Sequence, residues 1–170
     1  MAQSSAGVTP RAVGSKALTA SLVGAAGGLL TFAAGFMGWI SLDAGTLHAN
    51  DVPMGFLTDG FTAADSTWTM NETLWFVGGL GVIFAAMLAL IPRGGGKVVG
   101  IVGSIVAGVF ALALAIVSAA QIATADDAIL AGRSWLDLVG PGMWVAFAGG
   151  ILMVVAPLFL WTRHEDRTQA

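Results

Sequence analysis

Four long stretches without a single ionisable side chain constrain this chain more than any other feature. They cover about residues 17–42, 73–91, 98–122 and 142–161. Each is near or above the roughly 20 residues that an α-helix needs to cross the hydrocarbon core of a bilayer. Because a helix satisfies its own backbone hydrogen bonds, such segments are stable in lipid. The sequence therefore predicts an all-α fold, a bundle of four transmembrane helices.

Composition agrees with a membrane environment. Of 170 residues, 56% are hydrophobic and only 10% are charged, which is more apolar surface than a soluble domain of this size can bury. The first apolar stretch is about twice as long as the h-region of a signal peptide, and no clear small-x-small cleavage site follows it. We therefore expect the first span to be retained.

The charged residues predict the orientation of the spans. Six of the seven basic residues fall on one side of the predicted membrane: Arg11, Lys16, Arg93, Lys97, Arg163 and Arg167. The other side carries eight acidic residues and one arginine: Asp43, Asp51, Asp59, Asp65, Glu72, Asp126, Asp127, Asp137 and Arg133. Under the positive-inside rule the basic side is cytoplasmic. This predicts a multi-pass protein of the cell membrane with both termini in the cytoplasm.

The segments between the spans are short. Residues 1–16 and 162–170 are predicted to be a disordered cytoplasmic N-terminus and a charged cytoplasmic tail, and neither is expected to carry a fold. The span domain, residues 17–161, has outer loops at about 43–72 and 123–141. The first loop is long enough for a short strand pair or a surface helix. Asn71 is placed to cap the second span, and Pro141 suits the first position of the fourth.

The two halves of the span domain share local features. Ser66-Thr67-Trp68 precedes the second span, and Arg133-Ser134-Trp135 precedes the fourth. The first and third spans also open alike. This favours two repeated helical hairpins, as in transporters with parallel repeats, and the alternative is a chance likeness between apolar segments.

Small residues are predicted to mediate helix packing. On the first span they recur at intervals of three and four, which places Gly24, Gly28, Thr31, Gly35 and Gly38 on one face, and the third span repeats the pattern in Gly100, Ser104 and Ala107. Small side chains let helix backbones approach closely in lipid, where packing drives association. We expect most of these faces to be used inside the bundle, and any remaining face to dock another membrane protein.

Five of the six tryptophans lie at or beyond the predicted outer boundary. An indole ring prefers the headgroup layer because it is apolar and carries one N–H group. Trp68 and Trp135 are several residues outside their spans, where lipid anchoring explains them less well. They are predicted to belong to a packed outer cap or to contact a partner protein.

The residues that usually mark chemistry are missing. No ionisable group lies within a span, although such groups mark ion paths and proton relays. His48 and His164 fall on opposite sides of the membrane, which excludes haem ligation by the pair, and no acidic spacing favours calcium or magnesium. The absence of cysteine excludes thiolate sites. We therefore expect no catalysis, cofactor, metal or nucleic-acid partner.

The chain resembles the small, tryptophan-bearing four-span membrane proteins of actinobacteria. The resemblance rests on Gly38-Trp39-Ile40 at the end of the first span, on the tryptophans of the outer loops, and on Gly140-Pro141-Gly142-Met143-Trp144. The chain is also similar to the claudin-like tetraspan layout in its larger first outer loop, but it lacks the Trp, Gly-Leu-Trp and paired-cysteine signature. These resemblances imply topology and no catalytic activity.

Two functions fit this pattern. The first is a non-catalytic accessory or structural subunit of a larger membrane complex, such as a respiratory-chain or cell-envelope assembly. Its partners would be the bilayer and other integral membrane proteins. The alternative is a small channel or transporter whose pore forms when several copies assemble between small-residue faces.

Overall fold

The computed structural model describes residues 14–42, 44–64, 68–91 and 93–161. In chain order its elements are α1 (Ser15–Ala34), β1 (Gly38–Leu42), β2 (Gly45–His48), a 3₁₀ turn (Ala49–Asp51), α2 (Phe56–Asp59), a second 3₁₀ turn (Gly60–Thr62), α3 (Met70–Leu90), α4 (Gly95–Ala123), α5 (Asp127–Leu130), α6 (Trp135–Leu138), α7 (Pro141–Val155) and α8 (Leu158–Trp161). The remaining residues lie outside the described part, and they include Asp43, Asp65, most of the predicted N-terminal segment (1–13) and the predicted tail (162–170).

Four of these segments are long and apolar enough to cross a membrane: α1, α3, α4 and the stretch Pro141–Leu160. The predicted all-α class and four-helix bundle are confirmed, and the described residues form one small sheet in addition. The helices form a ring in the order α1, α3, α4, α7, so that α1 is diagonal to α4. Neighbours in the ring run antiparallel. α1 and α3 pair as one hairpin and α4 and α7 as another, and their duplication stays a prediction.

The two ends of the bundle differ. At one end, here called the turn end, lie the start of α1, the connection between α3 and α4, and α8, which packs against α1. At the other end the short elements form a cap, which consists of β1, β2, the two 3₁₀ turns, α2 and α6. All described loops longer than a turn are therefore on one side of the bundle.

The first span is shorter than the sequence predicts. α1 ends at Ala34, and the apolar stretch continues as β1, which pairs with β2 in an antiparallel hairpin. Periodicity cannot separate a short buried strand from a helix, and here the residues are apolar because the cap buries them. Trp39 and Ile40 are fully buried there. The strand pair anticipated for the first loop thus forms partly within the predicted span.

The cap is joined to the bundle by one continuous apolar core. Val52, Phe56 and Leu138 from the cap pack with Leu74 of α3 and Ile122 of α4. Backbone contacts also connect the two loops: Ile40 bridges Val139, and the amide of Gly140 donates to the carbonyl of Trp39 at 2.9 Å. Folding of the cap therefore fixes the relative positions of all four spans at this end.

Three acidic residues on the cap side have a local structural role. Asp51, Glu72 and Asp137 each occupy the third position of a helical turn and accept a hydrogen bond from the backbone amide at its N-cap. Such capping boxes satisfy backbone donors that have no partner within the helix. The cap of α3 is Thr69, not the predicted Asn71, because Glu72 completes the box with Thr69. α7 begins at Pro141, as predicted.

Candidate functional surfaces

The predicted small residues of α1 lie against two neighbouring helices. A Cβ atom at Gly24 would be 3.0 Å from the Cβ atom of Ala85 on α3, and one at Gly28 would be 2.7 Å from the carbonyl oxygen of Gly78. Thr31 is fully buried, and its hydroxyl donates to the carbonyl of Gly27 at 3.0 Å. At Gly28 the backbones of α1 and α3 are therefore in direct contact.

Gly35 and Gly38 do not extend this helix face. Gly35 follows the last residue of α1, and a Cβ atom there would be 2.6 Å from the indole nitrogen of Trp75. Gly38 lies in β1, where a side chain would meet Thr46 of the paired strand. The prediction that Gly38 packs on a helix face is wrong, because the chain has left the helix before reaching it.

The predicted residues of α4 face α3 and α7. Gly100 lies against α3, since a Cβ atom at this position would be 3.0 Å from the Cβ atom of Met87. Ala107 is buried beside Val77 and Met153. The hydroxyl of Ser104 is fully buried and donates to the carbonyl oxygen of Met153 at 2.8 Å. Ser104 thus supplies a hydrogen bond between α4 and α7 in the middle of the bundle.

Ser104→Ala is expected to lower the free energy of unfolding by about 1 kcal/mol, within the range measured for hydrogen bonds between transmembrane helices. Ser118→Ala is the matched control, since Ser118 is also fully buried on α4 but its hydroxyl has no partner among the described residues. Removing an unpaired hydroxyl should cost little. If thermal unfolding showed the same loss of stability in both variants, the hydrogen bond of Ser104 would contribute nothing specific to stability.

The two tryptophans predicted for a cap or contact lie at the cap end but are not buried in it. Trp68 is 60% exposed and Trp135 is 39% exposed. The tryptophan at the centre of the cap is Trp39, which is fully buried. Its position at the end of an apolar run indicated a lipid belt, and only the turn of the chain after Ala34 brings it into the cap.

A residue that sequence reasoning missed attaches the cap to α4. The side-chain amide of Gln121 donates to the carbonyl oxygens of Leu57 at 2.9 Å and Thr58 at 3.3 Å, both on α2. These carbonyls are at the end of a helix of four residues and lack partners within it. The sequence signal that could have indicated this contact is the presence of a polar residue, Gln121, in the last turn of a long apolar helix.

An apolar groove of about 650 Å³ runs between α3 and α4 on the lipid-facing side. Its floor consists of small or buried residues, Val77, Gly103 and Ala107, and its walls include the exposed rings of Phe76 and Phe110. Trp68 closes its end near the cap. We call this the α3–α4 groove.

A second groove, of about 280 Å³, lies between α4 and α7 near the cap. On α4 it is lined by Ala115, Ala119 and Ala123, which are four residues apart and share one face. Trp135 and Trp144 form its other side. We call this the α4–α7 groove. Each tryptophan predicted for a cap or contact, Trp68 and Trp135, therefore borders one of the two grooves.

Metal-ligating side chains do not cluster in the part of the chain that the structure describes. No group of three His, Asp or Glu side chains lies close enough to hold a metal ion within these residues. The described acidic groups are at the cap end, three of them in capping boxes, and the interhelical contacts are made largely by small residues and Met.

The chain matches no known protein-family model, and comparison with curated proteins and with solved structures finds no match. The resemblance to actinobacterial four-span proteins therefore stays a prediction.

Proposed function

We propose that this protein is a non-catalytic accessory subunit of a larger complex in the cell membrane, in which it packs against another integral membrane protein. A respiratory-chain or cell-envelope assembly is the kind of complex that fits. The observation that carries the proposal is the α4–α7 groove. On α4 it is lined by alanines that become more exposed toward the cap: Ala115 is buried, Ala119 is half-buried and Ala123 is exposed.

The residues of this groove match what a partner helix requires. Alanines at intervals of four allow a second backbone to approach closely, and that contact replaces lipid with well-packed protein. Trp135 and Trp144 offer large apolar rings with one polar atom, a residue type enriched at the centres of interfaces. A transmembrane helix of a partner protein is therefore the proposed occupant.

The packing of the helices argues against a pore through a single chain. Cβ atoms at Gly27, Gly78 and Gly108 would each come within 2.7 Å of a backbone oxygen of a neighbouring helix. Backbones this close leave no room for water between them. The alternative channel function would therefore need a path between several copies of the chain. The two lipid-facing grooves described above are apolar and offer no polar lining for such a path.

The charge distribution supports a cytoplasmic location for the turn end. Lys16, Arg93 and Lys97 are at this end, and the acidic residues Asp51, Glu72 and Asp137 are at the cap end. Basic residues next to transmembrane helices favour the cytoplasmic side. The cap would then face the cell exterior, and the α4–α7 groove would lie on that side of the bundle.

Purification in mild detergent followed by mass spectrometry tests the proposed function. The full-length protein should bring down a membrane protein in fixed stoichiometry. Ala120→Trp fills the α4–α7 groove and should release that partner, while Ala113→Trp, another exposed position on α4 that lines neither groove, should retain it. Recovery of a lone monomer or homo-oligomer contradicts the proposal.

A further inference from the structure

The α3–α4 groove is a trough open to the lipid phase. Its residues on α4 run from Val98 to Phe110, and at 1.5 Å per residue this is a length of about 18 Å. One leaflet contributes about half of the roughly 30 Å hydrocarbon core. The groove is therefore about as long as one extended acyl chain in a single leaflet.

The shape of the groove follows from a difference in residue size between its floor and its walls. Gly103 has no side chain, and a Cβ atom there would be 2.5 Å from the ring of Phe84. The Phe84 ring thus lies directly over the α4 backbone. Val106 and Phe110 rise beside it and remain exposed. The only polar side-chain groups of the lining residues, on Thr73 and Trp68, are near the cap end.

Two basic residues lie next to the end of the groove near the turn, and neither is among the residues that line it. Val98 and Val99 line it there, and they directly follow Lys97, with Arg93 in the same turn between α3 and α4. Arg93 is exposed and Lys97 is half-buried. No acidic side chain is present at this end in the part of the chain that the structure describes. Interfacial cations of this kind attract anionic headgroups.

We propose that the α3–α4 groove binds one anionic phospholipid. An acyl chain lies along the groove between Phe84 and Phe110, and the phosphate is held by Arg93 and Lys97. The ligand has to be apolar for about 18 Å and anionic at one end only, which describes a phospholipid. A partner helix fits less well, because its preferred contact is a strip of small residues, whereas large Phe and Val side chains line this groove. The inference is independent of the proposed function.

The test compares phosphatidylglycerol with phosphatidylcholine of the same acyl chains, each added to the full-length protein in an uncharged detergent. A ligand that binds only the folded state raises the melting temperature. Phosphatidylglycerol is expected to raise it by at least about 4 °C more than phosphatidylcholine does. Native mass spectrometry should then show one retained phosphatidylglycerol per chain.

Two pairs of variants locate the site. Val106→Trp fills the groove, and Val109→Trp is its control, because Val109 is on the same helix and 53% exposed but does not line the groove. The double change Arg93→Gln with Lys97→Gln removes the charges. Its control is Lys16→Gln, at the same end on the diagonally opposite α1. The additional rise in melting temperature with phosphatidylglycerol should disappear in the first variant of each pair. It should persist in the control of each pair.

Two results would overturn the inference. One is equal stabilisation of the unchanged protein by both lipids. The other is the same lipid response in Val106→Trp and Val109→Trp. Val106 is 61% exposed, so its replacement should not prevent folding, and the charge variant tests the site without altering the groove. Loss of a co-purifying protein on filling the α3–α4 groove, with no change in bound lipid, would assign the groove to a partner instead.

Discussion

Gly78→Ala is expected to lower the free energy of unfolding by about 3 kcal/mol, the upper part of the usual range for overpacking a core. The added Cβ atom would be 2.6 Å from both the carbonyl oxygen of Gly28 and the amide nitrogen of Phe32. Both atoms belong to the backbone of α1, so no side-chain rotation can relieve the contact. α1 and α3 would have to separate along the interface that holds them together.

Gly79→Ala is the matched control for this prediction. Gly79 is the next residue of the same helix, and a Cβ atom there has no neighbour within 4 Å. Because alanine favours a helix more than glycine does, the variant should be neutral or slightly stabilised. Thermal unfolding in detergent measures both variants. Similar stability of the two would mean that α1 and α3 do not meet as described.

Trp39→Ala is expected to cost about 3–5 kcal/mol, the range for truncating a large buried aromatic residue. Trp39 is fully buried in the core that joins the cap to the bundle. Its removal would leave a cavity between the β1 strand and the helix ends. We expect a lower melting temperature and faster amide hydrogen exchange in β1 and β2.

Two further variants separate this cavity from a general effect of losing tryptophan. Trp68→Ala removes an exposed ring and should change stability by less than about 0.5 kcal/mol. Trp39→Phe keeps most of the buried ring and removes an indole N–H that has no hydrogen-bond partner among the described residues, so its cost should be much smaller than that of alanine. If Trp39→Ala were no more destabilised than Trp68→Ala, the buried cap would be the wrong description.

The sequence predicts the bundle well because the lipid requirement acts on each span separately. A run of about 20 apolar residues without charge has few stable conformations other than a helix in a bilayer. The same argument fails at residues 38–42, where burial in the cap and burial in lipid select the same residues. The chain turns after Ala34, and only the contacts of Trp39 and Ile40 with the other loop distinguish these two environments.

The candidate surfaces were less accessible to prediction. The spacing of Gly24, Gly28 and Thr31 marks a packing face, but which helix covers it follows from the ring order α1, α3, α4, α7. The grooves depend on pairs of helices that are distant in sequence, as with the alanines of α4 and the tryptophans at 135 and 144. No local pattern contains that information. The sequence indicated Trp68 and Trp135 as candidate contact residues, but it could not indicate which residues of other helices line the grooves beside them.

Labelling of single cysteines tests the central claim, a four-span bundle with its turn end in the cytoplasm, most directly. The chain contains no cysteine, so Gly95→Cys at the turn end and Ala64→Cys at the cap end can each be labelled without background, and both positions are exposed. With a membrane-impermeant maleimide, intact cells should label Ala64→Cys, and Gly95→Cys should react only after permeabilisation. Labelling of Gly95→Cys in intact cells, with Ala64→Cys protected, would contradict the account.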